Sequence, residues 1–180
     1  SMLYRLLEAP EAREHDLSSL QTIYYGASPM SPARIKQLRE RFGEVFVQIY
    51  AASEHAGAAV SMSKDEHQPD RNGDESHLAS AGRIVPGVEL LIVDRQGRRV
   101  PDGQDGEIWM RSRAICLGYL NAPEKTAEEF CNGYWKSGDY GRIDANGYVY
   151  ILDRVKDTIL CNDRNVYPSL VEVALSAHPS

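Results

Sequence analysis

The chain is 180 residues long, 42% hydrophobic and 26% charged, which is ordinary for a globular protein and allows one domain or two small ones. Its net charge is −6 and its basic residues are dispersed among acids, which argues against a nucleic-acid partner because phosphate-binding faces need clustered Lys and Arg. No apolar run approaches a transmembrane segment, and Cys116, Cys131 and Cys161 have neither metal-site nor disulfide spacing, so we expect free thiols in the reducing cytoplasm.

The first third of the chain is typical of alternating strands and helices. Ser1-Met2 resembles a tag remnant before a start Met, and residues 3–20 predict a helix end and a surface connection. A short apolar strand follows at Leu20–Tyr25, and Ser31-Pro32 is a typical helix start, with a capping hydroxyl before a proline. Val45–Tyr50 predicts the next strand. Strand, helix and strand form a βαβ unit, which implies a parallel sheet.

Two small polar turns follow these two strands, Gly26-Ala27-Ser28 after the first and Ala51-Ala52-Ser53-Glu54 after the second. Ligands of parallel sheets bind beyond the carboxyl ends of the strands, which lie at one edge. We therefore expect both turns to face one ligand site.

Residues 64–80 are polar and predict a loop, after which the pattern changes to short apolar runs separated by glycine turns. Such runs at Val88–Val93, Glu107–Met110 and Tyr148–Leu152 favour a small antiparallel barrel or sandwich, interrupted by a short helix at about Pro123–Phe130. A last helix begins at Pro168. Boundaries near residues 80 and 153 divide the chain into three segments, 1–80, 81–153 and 154–180.

The stretch Trp135–Gly141 combines a bulky aromatic, a flexible Ser-Gly turn and a carboxylate. Gly138 would let the backbone approach a bound molecule, and Asp139 could accept hydrogen bonds from neighbouring hydroxyls such as those of a ribose. The alternative for this stretch alone is a solvated hairpin end.

These pieces, taken in order, resemble the motifs of the adenylate-forming superfamily, which includes acyl-CoA synthetases, peptide-synthetase adenylation domains and firefly luciferase. The matching segments are Tyr25–Ser31, Tyr50–Glu54, Gly106–Tyr119, Trp135–Asp139, Arg154–Asp157 and Asn165–Glu172. The resemblance covers almost the whole chain.

The resemblance implies an α/β fold. Residues 1–80 would end an N-terminal βαβ parallel-sheet domain, residues 81–153 would form a small antiparallel β-barrel subdomain, and residues 154–180 would form the hinge and the start of a C-terminal α+β lid. The implied reaction activates a small carboxylic acid with ATP and Mg²⁺ to an acyl-adenylate. The acyl group then passes to coenzyme A, or to the thiol of a carrier protein.

The family's phosphate and metal contacts fall on the two turns. By resemblance, Glu54 would hold Mg²⁺, and Ser53, in place of the commoner Thr, would bond a phosphate oxygen. Both are candidate catalytic residues. Gly26, Ala27 and Ser28 would present backbone groups to adenine and to the acyl carboxylate.

The family's nucleoside contacts fall on three further residues. Tyr50 would stack on adenine, Asp139 would bind the ribose hydroxyls, and Arg154 would reach the ribose or a phosphate. Lys156 falls at the hinge, where rotation of the lid would switch the enzyme from adenylation to thioester formation, and is the third candidate catalytic residue.

Several family features are altered or missing. Ala51 and Asp153 replace family glycines, and Asn162-Asp163 replaces a Gly-Gly pair on the thiol's path, which puts the thioester step in question. The upstream phosphate loop and the downstream catalytic Lys are absent from this chain, so we expect the 180 residues alone to be inactive. A carrier-protein-loading enzyme and a non-catalytic binding module derived from the family remain as alternatives.

Overall fold

The computed structural model describes residues 2–9, 15–28, 30–161 and 164–176, so that Ser1, Pro29, Asn162 and Asp163 lie outside the described residues. The helices are α1 (Met2–Glu8), α2 (Pro32–Phe42), α3 (Pro123–Glu129) and α4 (Pro168–Ser176). The strands are β1 (Ile23–Gly26), β2 (Phe46–Ala52), β3 (His55–Met62), β4 (Gly82–Ile84), β5 (Glu89–Val93), β6 (Gly106–Arg111), β7 (Phe130–Cys131), β8 (Tyr134–Ile143), β9 (Tyr148–Arg154), β10 (Ile159–Cys161) and β11 (Arg164–Val166).

Helix α2 begins and ends where its capping residues predict. The Ser31 side chain accepts a hydrogen bond from the Arg34 amide at 3.4 Å, and Pro32 occupies the first turn. At the other end Gly43 has φ 79°, and its N–H donates to the Arg39 carbonyl at 2.8 Å. The predicted helix is confirmed.

The predicted βαβ unit is also confirmed, because β1 and β2 pair in parallel with Ile23 opposite Phe46. Helix α2 packs on this pair through Ile35 and Leu38, which are fully buried in a core cluster with Phe46. The ends of β1 and β2 therefore lie side by side, with their following turns at one edge.

The remaining long strands extend the same sheet in antiparallel fashion, in the order β1-β2-β3-β4-β9-β8-β6-β5. A second core cluster fills this half and includes Ile108, Met110 and Val149. Among the described strands the path has two ends, β1 and β5, so this half is an antiparallel sheet continuous with the parallel pair rather than a closed barrel. The proposed divisions at residues 80 and 153 stay predictions.

The predicted Ser-Gly turn before Asp139 is wrong, because this stretch lies inside the ten-residue strand β8. Gly138 has φ 69°, and the β8–β9 register shifts between Tyr140 and Gly141, so the strand is locally distorted. Asp139 pairs with Arg154 of β9 on the near side of this register shift. The glycine marks an irregularity within a strand, a feature that single-sequence turn signals do not separate from a true turn.

Beyond β9, strands β10 and β11 form a separate antiparallel pair, and α4 begins at the expected Pro168. In the part of the chain that the structure describes, none of the helices has the length and apolar character needed to cross a membrane.

Candidate active site

A cleft of about 1180 Å³ opens at the carboxyl ends of β1 and β2. It is lined by every residue for which the sequence predicted a site role: Gly26, Ala27, Ser28, Tyr50, Ser53, Glu54, Asp139, Arg154 and Lys156. The two turns form one part of the lining, and the paired strands β8 and β9 contribute another. Residues more than a hundred positions apart thus face one space large enough for a nucleotide.

The first turn is constrained where it leaves β1. A Cβ at Gly26 would lie 2.2 Å from the backbone oxygen of Ile49, so only glycine fits this close to β2. Ala27 follows with φ 66°, a left-handed angle that costs a residue with a side chain about 1–3 kcal/mol. Strain of this kind is often held at binding sites, and here it lies in the cleft wall.

Asp139 is the centre of a polar cluster in the cleft wall. Its Oδ2 accepts a short hydrogen bond from the Tyr50 hydroxyl, and its Oδ1 lies 3.1 Å from Nε of Arg154. The backbone N–H of Asp139 donates to the Ser137 hydroxyl at 3.0 Å. The Tyr50 bond joins strand β2 to strand β8 across the cleft, a contact that the sequence did not indicate.

Burial dominates the electrostatics of this cluster. Asp139 is 9% exposed, and burial raises the pKa of its carboxyl above the ordinary 3.8, although the Tyr50 hydrogen bond and the Arg154 charge oppose that rise. The pKa of Tyr50 is raised by burial and by the nearby Asp139 charge, so its hydroxyl stays protonated as a donor. Each carboxylate oxygen accepts about two hydrogen bonds, so one contact on each leaves capacity for a ligand.

Glu54 lies in the turn between β2 and β3, and its Oε1 accepts a hydrogen bond from the Tyr119 hydroxyl at 2.8 Å. Among the described residues it forms no ion pair with Lys or Arg. Its backbone is fixed because its carbonyl accepts from the Cys116 amide at 2.8 Å. Ser53 beside it is exposed to the cleft.

This arrangement fits Mg²⁺, the metal that the family resemblance implies. The described residues contain no cluster of three or more His, Cys, Asp or Glu side chains that would form an all-protein metal site. Mg²⁺ is usually held by one or two carboxylates together with waters and substrate phosphates. The Glu54 carboxylate, unpaired with any described cation and lining a nucleotide-sized cleft, supplies the oxygen donor that such a site needs.

Arg154 and Lys156 lie at the exposed end of the cleft. The Arg154 side chain is 59% exposed, so its ion pair with Asp139 is strongly screened by solvent. The Val155 amide donates to the Gly138 carbonyl at 2.7 Å, which holds the chain against β8 just before Lys156. Lys156 is exposed and forms no ion pair with any described residue.

Sequence reasoning missed the contribution of α3. A charged run such as the one around Lys125 typically predicts a solvated helix face. Lys125 and Glu128 are exposed, but both line the cleft together with the half-buried Glu129. Their spacing of three and four residues places them on one side of a helix, a signal that shows a shared face but not what it faces. Tyr119, which was noted only as part of a motif, also lines the cleft.

His55, which received no functional role from the sequence, is a structural residue. It is 3% exposed, its Nδ1 donates to the Gly57 carbonyl at 3.0 Å, and its Nε2 accepts from the Ser112 hydroxyl at 2.9 Å. Both ring nitrogens are thereby satisfied inside the protein.

Comparison with known proteins points to one family. The profile of a family described as "AMP-binding enzyme" matches residues 1–120. The medium/long-chain-fatty-acid–CoA ligase FadD8 of Mycobacterium tuberculosis (strain ATCC 25618 / H37Rv) is 39% identical over 180 residues, which are 100% of this chain and 30% of FadD8. The fatty acid–[acyl-carrier-protein] ligase ScoC of Streptomyces coeruleorubidus is 36% identical over 179 residues, 99% of this chain and 34% of ScoC.

The fold agrees with that similarity. The amide bond synthetase McbA from Marinactinospora thermotolerans superposes with a TM-score of 0.88 and 37% identity, covering 98% of this chain and 35% of McbA. The chain thus spans about a third of the length of the relatives that it matches.

Proposed function

Because the chain belongs to the AMP-binding enzyme family, we propose that it forms part of an ATP-dependent acid–thiol ligase that activates a carboxylic acid as an acyl-adenylate and transfers the acyl group to coenzyme A. The observation that carries this proposal is the shared cleft: Glu54 of the β2–β3 turn and Asp139 of strand β8, 85 positions apart, line one space.

In the proposed complex the nucleoside lies against Asp139. The carboxylate accepts hydrogen bonds from the ribose hydroxyls, while Tyr50 keeps it oriented from β2 and Arg154 approaches from β9. The Tyr50 hydrogen bond orients the carboxylate before the ligand arrives, which lowers the ordering cost of binding. Tyr50 is half-buried in the cleft wall, where its ring can contact the base while its hydroxyl remains on Asp139.

The phosphates extend toward the two turns. Glu54 holds the divalent cation, and the Ser53 hydroxyl donates to a phosphate oxygen. Mg²⁺ held by Glu54 would supply positive charge beside the phosphate oxygens. The turn at Gly26, Ala27 and Ser28 brings backbone groups up to the base and the acyl carboxylate, and the steric fit of Gly26 against Ile49 explains why no side chain intrudes there.

The second half-reaction depends on residues at the open end of the cleft. Lys156 follows the backbone hydrogen bond from Val155 to Gly138, at the point where the chain leaves β9 and a hinge would allow a following lid to rotate. We keep coenzyme A as the proposed acceptor. A carrier-protein thiol is the second candidate, favoured by the similarity to ScoC, whose name describes a ligase for an acyl carrier protein.

The test uses the full-length protein that contains this chain, a panel of fatty and aromatic acids, ATP and Mg²⁺. We expect acid-dependent pyrophosphate release, with a thioester detected by mass spectrometry when coenzyme A is added. If a thioester forms only with a phosphopantetheinylated carrier protein, the second candidate is selected. If none of the acids causes pyrophosphate release, the proposal is contradicted. The 180-residue chain alone should release none above background.

A further inference from the structure

The Tyr119 hydroxyl lies between two carboxylates that come from different elements. It is 2.8 Å from Oε1 of Glu54 in the β2–β3 turn, and it forms a short hydrogen bond with Oε2 of Glu129 on α3. All three residues line the cleft. The geometry therefore links the proposed metal-binding carboxylate to a helix through a single phenol oxygen.

The two carboxylates do not depend on this hydroxyl equally. Glu129 has two further partners, Nε1 of Trp135 at 3.4 Å and Nζ of Lys125 at 3.7 Å. The Glu54 side chain has the Tyr119 hydroxyl as its one hydrogen-bond donor among the described residues. A hydroxyl carries a single proton and donates to one acceptor at a time. When that proton goes to Glu54, Glu129 keeps its two further partners, whereas Glu54 has no other described donor when the proton goes to Glu129.

Tyr119 itself is held firmly by its surroundings. Its backbone N–H donates to the Thr126 hydroxyl at 2.9 Å, and its ring packs edge-on against Phe130 with centroids 5.9 Å apart. Nε1 of Trp135 lies 3.4 Å from its hydroxyl oxygen, and Nζ of Lys125 lies 4.3 Å from its ring centre. A donor fixed on several sides can fix the group that it contacts.

We infer that Tyr119 is a positioning residue that holds Oε1 of Glu54, so that the other carboxylate oxygen, which has no hydrogen bond from a described residue, is presented to the divalent cation bound with ATP. This inference rests on the proposed function and adds a residue to it. Partners that orient metal ligands typically change metal affinity about 10- to 100-fold when they are removed.

The experiment measures Mn²⁺ binding to the full-length protein by electron paramagnetic resonance, with ATP present and acid omitted so that no turnover occurs. Tyr119→Phe keeps the ring against Phe130 and removes the hydroxyl. We expect the Mn²⁺ dissociation constant to rise about 10-fold or more. The matched control is Tyr134→Phe, which also removes a tyrosine-to-glutamate hydrogen bond, that to Glu89, at a place that does not line the cleft.

A second variant separates positioning from direct ligation. Glu129→Gln removes one charge but leaves the Tyr119 hydroxyl free to donate to Glu54, so Mn²⁺ affinity should stay within about threefold of wild type. A Glu129→Gln protein that loses affinity about 10-fold would make Glu129 a ligand and overturn the inference. This arm can still refute the inference if Tyr119→Phe does not fold.

The outcomes also separate this inference from the proposed function. The inference alone would be overturned if the wild-type protein forms acyl-adenylate and binds Mn²⁺, but Tyr119→Phe binds Mn²⁺ within twofold as tightly. A wild-type protein that binds no Mn²⁺ with ATP would overturn the inference, and the absence of acid-dependent pyrophosphate release would separately contradict the function.

Discussion

Replacing Asp139 by asparagine should weaken nucleotide binding while leaving the fold intact. The amide keeps the size of the carboxylate, and its oxygen can still accept the hydrogen bond from the Tyr50 hydroxyl. Alanine is a poorer choice because it would also remove the acceptor of the half-buried Tyr50 hydroxyl, which would mix an effect on stability with the effect on binding. The ion pair to Arg154 adds little, since that side chain is 59% exposed and screened.

The expected size of the effect follows from the bonds that change. A hydrogen bond to a charged group contributes about 1.5–3 kcal/mol and one between neutral groups about 0.5–1.5 kcal/mol. Asp139→Asn therefore loses about 1 kcal/mol on each ribose hydroxyl, or about 2 kcal/mol for the pair. At 1.4 kcal/mol per tenfold, the dissociation constant for ATP should rise about 10- to 100-fold.

Titration calorimetry of the full-length protein measures the dissociation constant for ATP directly. The matched control is Asp157→Asn, which removes the same charge from an exposed residue outside the cleft lining. Burial raises the pKa of Asp139 above 3.8, so acidification should protonate it earlier than an ordinary aspartate and weaken wild-type binding. The asparagine variant should lack that component. An ATP affinity within twofold of wild type for Asp139→Asn would refute the ribose assignment.

Three stability predictions follow from other parts of the fold. Burial lowers the pKa of His67 below 6.5, so the unfolded chain takes up a proton at a higher pH than the folded protein does. The free energy of unfolding should therefore fall as the pH drops below 6.5, by at most about 1.4 kcal/mol per pH unit. Urea titrations at two pH values should show a smaller fall for His67→Gln. Gly82 has φ 107°, and Gly82→Ala would place a Cβ 2.1 Å from the backbone oxygen of Ser61. The free energy of unfolding in urea should fall by more than about 2 kcal/mol. An unchanged midpoint would contradict the packing of β4 on β3. Ser31→Ala removes the cap of α2 and should cost about 1 kcal/mol, against no change for the exposed Ser19→Ala.

The parts of the fold that the sequence predicted well are those with local causes. Helix α2 is determined by Ser31, Pro32 and Gly43, which act within a few residues of themselves, and its apolar stripe follows the helical period. The parallel pairing of β1 and β2 then follows from the connection between them. The position of the two turns at one edge of the sheet follows from this parallel pairing alone.

The parts that were missed depend on contacts between distant segments. Strand β3 begins His55-Ala56-Gly57-Ala58, which has no alternating apolar pattern, and it becomes a strand by pairing with β2 and β4. The Ser-Gly pair within strand β8 predicts a turn, because a glycine gives the same signal in a turn and in an irregular strand.

The site shows the same division between local and distant causes. Motif resemblance indicated which residue types surround the cleft, but not that Tyr50 would bond Asp139 across 89 positions or that Tyr119 would bridge Glu54 and Glu129. Side-chain partners of this kind are set by three-dimensional packing, on which a local pattern has no bearing.

The central claim is that the cleft between the β1–β2 edge and the β8–β9 pair binds an adenine nucleotide. A crystal structure of the full-length protein with AMP tests it most directly. We predict density for AMP in this cleft, with both ribose hydroxyls within hydrogen-bond distance of Asp139, about 2.5–3.2 Å, and the phosphate directed toward Ser53 and Glu54. AMP bound elsewhere, or bound in the cleft with its ribose facing away from Asp139, would contradict the account.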